Sequence, residues 1–280
     1  MTSNLHEYLS FGLQIAAEAE TVILPYYRAC SPSNKNDGSE VTEADRAAET
    51  LIRRRILERH PDHGVLGEEF GKTNGESPFE WVVDPIDGTS WFVMGMPFFG
   101  TLIALVKDGE PIIGIIRFPA LRETVYAAKG MGCWMKAPGR PLEQLHVGFS
   151  QEVESAVITS SGTQGSEMHP SRGARRVNIL PLIRRARKFK FSGDCIQHAA
   201  VCRGGAHAAI DTVMFPWDIA AIVPCIEEAG GVVTDLSGNR SNILRAGSLL
   251  SSCSPKLHTE VLSILTGTPG ETAMIERLAG

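Results

Sequence analysis

The stretch Trp81-Val82-Val83-Asp84-Pro85-Ile86-Asp87-Gly88-Thr89-Ser90-Trp91-Phe92, WVVDPIDGTSWF, sets two carboxylates three residues apart where an apolar run ends. Bulky apolar residues bounded by Asp, Pro and Gly read as a strand running into a turn. A surface turn accounts for one Asp and for Gly88. It accounts less well for two acids among tryptophan, valine and phenylalanine, where an ionised carboxylate without a partner is costly.

Outward from this stretch, the pattern is mixed. Upstream, residues 5–28 read as a helix, with Leu5, Leu9, Leu13, Ala16, Ala17 and Glu20 tracing a mixed face. A turn-rich loop, SPSNKNDGSE (31–40), follows. VTEADRAAETLIRRRILERH (41–60) then reads as an amphipathic helix with Ala44, Ala47, Ala48, Leu51, Ile52 and Ile56 at three-and-four spacing. Thr42 and Asp45 resemble a capping box at its start, and Pro61 ends it. From 63 to 135 the pattern is of strands: HGVLGEEF, EWVVD, FGTLIALVKDG, EPIIGIIRF and ETVYAAKG, with KDGEP (107–111) joining two as a hairpin. The Pro/Gly/Gln-rich stretch 138–152 marks a boundary between halves 1–145 and 146–280. The second half carries a strand in AVITSS, a basic run (Arg184, Arg185, Arg187, Lys188, Lys190) and apolar segments at 195–215. It ends with a helix in WDIAAIVPCIEEAGG, a strand in VVTDLSG and a helix near 256–266. The class is mixed α and β, without repeats.

The chain's 280 residues, 43% of them hydrophobic, suffice for a large core. A net charge of −5 argues against nucleic acid or an anionic membrane as partner. No apolar stretch is long enough to span a bilayer and no signal peptide is read, so a cytoplasmic location is expected. The six cysteines form no C-x-x-C pair and read as reduced, buried thiols.

Several motifs fail. GEEFGKT (67–73) is one residue short of a P-loop, and its two glutamates would repel phosphates. GMGC (130–133) lacks the third glycine of a dinucleotide fingerprint, Gly95 stands where an EF-hand needs Glu, and no G-x-S-x-G elbow is present. What remains is a set of acids where elements begin or end: Asp45, Glu68, Asp84, Asp87 and Asp218. Singly, Asp45 and Asp218 are ordinary helix-start acids, Glu68 a loop acid, and Asp84 to Gly88 a plain turn. Together, with apolar residues around each, they are expected to converge at one rim of the core. Two bare carboxylates about 4 Å apart repel by about 4 kcal/mol at an effective dielectric of 20, so convergence requires cations. Hard oxygen ligands without a His/Cys set point to Mg²⁺. A helix starting at Gly88-Thr89 would offer free N–H groups to an anion beside the metals, which suits a phosphate ester.

VTEAD (41–45), GEEF (67–70), DPIDGT (84–89) and PWDIAA…EEAGG (216–231) resemble, in order and spacing, the signature blocks of the inositol monophosphatase superfamily, over about residues 5–266. The resemblance implies a layered αβαβα sandwich, a Mg²⁺-dependent phosphomonoesterase and a homodimer. It implies that Glu68, Asp84 and the Ile86 carbonyl hold one Mg²⁺, that Asp84, Asp87 and Asp218 hold a second, and that a third leans on Glu68 through water. Asp45 and Thr89 would orient and deprotonate the attacking water, with Glu68 in the catalytic set. Asp87, Gly88, Thr89 and Ser90 would hold the phosphate. Hydrolysis would be in-line, without a phosphoenzyme.

Within the superfamily, residues 35–49, 61–71, 98–116 and 216–235 are most similar to the histidinol-phosphatase branch. Pro224, costing about 3 kcal/mol inside a helix, belongs to that likeness; a tolerated kink is the plain alternative. The GDCIQHAAV stretch (193–201) departs from the branch at Ile196 and His198, and Asp211 stands where the family has glutamate. Asp194 and Asp211 would face the alcohol, with Asp218 also among the substrate-binding residues. Acids there suit the ammonium and imidazole of L-histidinol phosphate, and also the hydroxyls of an inositol or other cyclitol or sugar phosphate. His198 reads equally as a core histidine or a ligand contact, Trp91 has no assigned role, and the basic run fits a solvated surface better than a nucleotide site. A non-catalytic protein that kept the fold is disfavoured, because every acid and Thr89 is present.

Overall fold

The computed structural model describes residues 2–29, 31–34, 40–169 and 177–267. Cys30, residues 35–39 of the turn-rich loop and the end of the chain beyond 267 lie outside them. The strand Phe79–Asp87 organises the molecule. Trp81 and Val83 are buried in one apolar cluster and Val82 in another, so both faces of the strand are covered. That is why WVV reads as a continuous apolar run rather than an alternation.

This strand pairs parallel with Gly64–Gly67 and antiparallel with Gly100–Lys107. Antiparallel neighbours extend the sheet to eight strands, from Gly71–Thr73 at one edge to Glu143–Leu145 at the other. The last edge strand lies within the 138–152 stretch. The hairpin expected at KDGEP forms as a two-residue loop. Asp108 and Gly109 have φ of 51° and 83°, the doubly left-handed geometry that matches strand twist, and Lys107 pairs with Glu110.

The helices Thr2–Ile23 and Glu43–Arg59 cover one face, packing Ile15, Ala19, Ala48 and Ile52 against Val65, Trp81, Val83 and Ile115. The first helix ends earlier than residue 28, passing at Pro25 into the 3₁₀ turn Leu24–Tyr26. Ile52 and Ile56 are fully buried, each worth roughly 2 kcal/mol in transfer from water. On the other face, Val82, Leu102, Ala104 and Ile116 meet Ala199, Ile219, Ile222 and Ile226 of the helices Asp194–Cys202, Pro216–Ala220 and Ile222–Glu228.

Those helices also pack against Ala209, Val233 and Leu249 of a second, five-stranded sheet. Its order is Lys188–Phe191, Val157–Ser160, Ala208–Asp211, Leu249–Ser252, Val232–Thr234. The far side of this sheet, with Ile158, Ile210 and Leu250, is closed by Leu182, Leu257, Val261 and Leu265 of Leu180–Arg185 and Pro255–Thr266. The layers run α, β, α, β, α.

One element differs from expectation. WDIAAIVPCIEEAGG is two helices that break at Ala221, not one. Pro224 therefore sits in the first turn of the second helix, where a missing N–H costs little. The break presses on the first sheet at Gly114, where a Cβ would collide with the Ala221 carbonyl and Pro224. Glycine there permits the close approach.

Candidate active site

Residues i and i+3 of a regular strand point to opposite faces. Asp84 and Asp87 escape this because the ladder slips between them: Asp84 pairs with Leu102 and Asp87 with Gly100, so two residues oppose one. The Thr101 hydroxyl donates to the Pro85 carbonyl at 2.9 Å and holds the bulge, while the Ile86 N–H donates to Asp84 Oδ1 at 3.0 Å. Asp218 enters from the helix Pro216–Ala220, its Oδ2 accepting the Phe215 N–H at 2.7 Å. One oxygen from each of Asp84, Asp87 and Asp218 lies within 4.8 Å of the others.

Glu68 follows the strand Gly64–Gly67, its N–H bonded to the Val83 carbonyl at 3.2 Å, and its charge acts on Asp84, Asp218 and Asp45. Asp45 closes the expected capping box: Oδ2 accepts the Thr42 N–H at 2.8 Å and the Thr42 hydroxyl at 2.6 Å. Its Oδ1 is buried without a hydrogen-bond partner among the described residues. Gly88, at φ 82°, caps the short helix Thr89–Val93 expected from the sequence. The Thr89 hydroxyl donates to the Ile86 carbonyl at 3.1 Å, and the Ser90 hydroxyl to Glu40 Oε2 at 2.8 Å.

The electrostatics follow from crowding. Burial, then the charges of Glu68, Asp87, Asp218 and Asp45, hold the Asp84 carboxyl well above the usual range. Burial, then Asp194 and Asp218, do the same to Asp87. Asp218 is pushed up to about 7, chiefly by burial and then by Glu68 and Asp211. Burial, and then Glu68, raise Asp45 against the lowering effect of Thr42. An all-oxygen set that keeps its protons through burial and mutual repulsion fits a hard divalent cation, which would replace those protons.

Beside the acids opens a cavity of about 900 Å³, lined by Ser90, Trp91, Asp194, Asp211, Phe215 and Asp235 among others. Asp194 starts its helix at φ 62° and is raised to about 6, by burial first and then by Asp211. His198 is fully buried, with Nε2 2.7 Å from Asp211 Oδ2 and Nδ1 2.8 Å from Ser251 Oγ. It braces Asp211 from behind rather than lining the cavity. The basic run is absent from the cavity lining: Arg185 pairs with Glu154 and Glu260, Arg187 donates to the Ser155 carbonyl, and Lys188 and Lys190 lie on an edge strand.

Two contributors escaped the sequence reading. Glu49 is fully buried, and its carboxylate accepts the N–H groups of Glu69 at 2.7 Å and Phe70 at 3.2 Å and the Arg53 Nε at 2.6 Å. It thereby fixes the turn that carries Glu68. Its signal was present, since Asp45, Glu49, Ile52 and Ile56 share one helical stripe. The second is the Cys195 backbone N–H, which donates to Asp87 Oδ2. No residue type announces a backbone donor.

Among the described residues no helix is long and apolar enough to cross a membrane. The model of the inositol monophosphatase family matches residues 4–267. The chain is 37% identical over 237 residues to a histidinol-phosphatase of Chlorobaculum parvum, covering 84% of this chain and 88% of that one. It is 34% identical over 262 residues to a histidinol-phosphatase of Mycobacterium tuberculosis, covering 93% and 98%. Its fold is similar to that of the IMPase of Thermotoga maritima, with a TM-score of 0.78 and 28% identity over 92% of this chain and 96% of that one. The layered fold, the acid cluster and these likenesses agree: the chain belongs to the inositol monophosphatase family and is a phosphatase acting on phosphate monoesters.

Proposed function

We propose that the chain is a Mg²⁺-dependent phosphatase that hydrolyses L-histidinol phosphate to L-histidinol and phosphate. The observation that supports this substrate is the wall of the cavity beside the acid cluster. Among the described residues it carries Asp194, Asp211 and Asp235 and no Lys, Arg or His. An ammonium and an imidazolium are attracted to such a wall; a second phosphate is repelled by it. The histidinol-phosphatase names of two relatives point the same way.

Glu68, Asp84, the Ile86 carbonyl, Asp87 and Asp218 would hold two to three Mg²⁺, which when bound supply charge neutralisation for the phosphate and the leaving alkoxide. Gly88, Thr89 and Ser90 hold the phosphate next to Asp87. Asp45 Oδ1, buried and unbonded, takes a proton from the attacking water, with the Thr89 hydroxyl orienting that water and Glu68 completing the catalytic set. Water itself is the nucleophile and attacks in line with the leaving alkoxide, so no phosphoenzyme forms. A homodimer, on the family likeness, and a cytoplasmic location, on the sequence pattern, complete the reading.

An inositol or other cyclitol phosphate is the alternative, supported by the likeness to the T. maritima IMPase and by the capacity of Asp194 and Asp211 to accept hydroxyl hydrogen bonds. Phosphate release from histidinol phosphate, inositol 1-phosphate, fructose 1,6-bisphosphate and glycerol 2-phosphate, each titrated with Mg²⁺, separates them. Histidinol phosphate is expected to give the highest kcat/KM; a lower rank for it removes the substrate assignment.

A further inference from the structure

The three aspartates of the cavity wall are not equally available. Asp235 is held by its own turn, Oδ1 accepting the N–H groups of Ser237 at 2.8 Å and Asn239 at 2.7 Å. Asp211 Oδ2 is shared between His198 at 2.7 Å and Gln197 Nε2 at 2.6 Å. Asp194 is different: the Trp91 indole is the side chain that lowers its carboxyl against burial and the charge of Asp211.

Trp91 is placed for this by its surroundings. Its ring packs edge-on against Phe98, with centroids 5.7 Å apart and planes at 82°, and the residue lines the cavity. The geometry above Gly88 is informative. A Cβ on Gly88 would meet Asp194 Oδ2 at 3.1 Å and Trp91 Cδ1, the ring carbon bonded to the indole nitrogen, at 3.1 Å. Carboxylate and indole edge thus converge over the bare α-carbon next to Asp87. Asp194 also holds a left-handed backbone at φ 62° at the start of its helix, a conformation that non-glycine residues rarely adopt.

We propose that Trp91 is a positioning residue that holds the Asp194 carboxylate above Gly88, where Asp194 selects substrates whose alcohol half carries a positive charge. This rests on the cationic substrate proposed above. An indole N–H suits the task because it donates one hydrogen bond in a fixed plane and accepts none, so it orients the carboxylate without competing for the substrate's own donors.

The test is a coupling measurement on the full-length, Mg²⁺-supplied enzyme. KM and kcat are determined for histidinol phosphate and for the neutral alcohol ester glycerol 2-phosphate, with the wild type, Trp91→Phe, Asp194→Asn and the double variant. Phe keeps an aromatic ring beside Phe98 and removes the N–H together with part of the indole; melting curves confirm that each variant is folded. Discrimination, the ratio of the two kcat/KM values, is expected to fall about tenfold in Trp91→Phe, equivalent to roughly 1.4 kcal/mol. The fall is expected in KM for the cationic substrate rather than in kcat. Asp194→Asn is expected to do at least as much, and the double variant no more than Asp194→Asn alone.

Multiplicative effects in the double variant, or an equal loss on both substrates, overturn the positioning role. The wild-type ranking judges the substrate separately: a preference for the neutral ester sinks the cationic reading, while coupled losses still support Trp91 acting through Asp194. Affinity for histidinol itself, without phosphate, is a second readout and should weaken in parallel in both single variants.

Discussion

The Asp87 carboxylate accepts the backbone N–H of Cys195, 108 residues further along the chain. This bond ties the end of the strand Phe79–Asp87 to the start of the helix Asp194–Cys202. It joins the acid cluster to the cavity that would receive the alcohol, and it partly offsets the burial and repulsion that raise the Asp87 carboxyl.

Asp84→Asn should abolish phosphate release while raising the melting temperature of the chelated, metal-free protein. The first effect follows from losing a central oxygen ligand, beyond the roughly 10–100-fold cost of losing a group that only orients a ligand. The second follows because Asn occupies the same volume without adding to the repulsion among Glu68, Asp87, Asp218 and Asp45. Near-normal turnover would remove the ligand role. A metal-free melting temperature below that of the wild type would contradict the repulsion.

The pH dependence of stability isolates Asp218, whose carboxyl titrates near 7 in the fold against 3.8 ordinarily. Between those values the folded protein binds a proton that the unfolded chain has released, so this group's stabilising contribution is full below pH 4 and lost as pH rises toward 7. Asp218→Asn removes the term and leaves the histidines in place. In chelator, its melting temperature relative to wild type should therefore climb from pH 4 to pH 7. A flat difference across that window would show that Asp218 is not raised.

Glu49→Gln tests the brace under Glu68. The change leaves Arg53 without its charge partner and weakens the acceptor for the Glu69 and Phe70 N–H groups. Mg²⁺ affinity should weaken roughly 10–100-fold, as for other groups that orient a ligand. Calorimetric titration checks this, and an unchanged affinity would confine Glu49 to stability.

His198→Leu should act on stability before specificity. It strands the Ser251 hydroxyl and one hydrogen bond to Asp211 in a buried setting, a cost of roughly 1–3 kcal/mol. The expected outcome is a melting temperature lower by roughly 3–10 °C. An unaltered melt with a changed KM would instead make His198 a substrate contact.

Most of the site's chemistry was legible in the chain because it is local. The strand character of Trp81 to Val83, the capping box of Thr42 and Asp45, the Asp108-Gly109 hairpin and the acids at element ends each depend on a few neighbouring residues. The helix break at Ala221 was not legible, because Pro224 by itself signals only a disturbance; Gly114, distant in sequence on the eight-stranded sheet, gives the break its room.

Residue types and periodicity determined that acids stand where apolar elements stop, and hence that the chain needs cations there. Only the tertiary structure decided that Asp218 reaches Asp84 and Asp87, that Glu49 underpins Glu68, and that Trp91 meets Asp194. Side-chain alternation reports which face a residue takes, whereas proximity across a hundred residues depends on how layers stack and where a ladder slips.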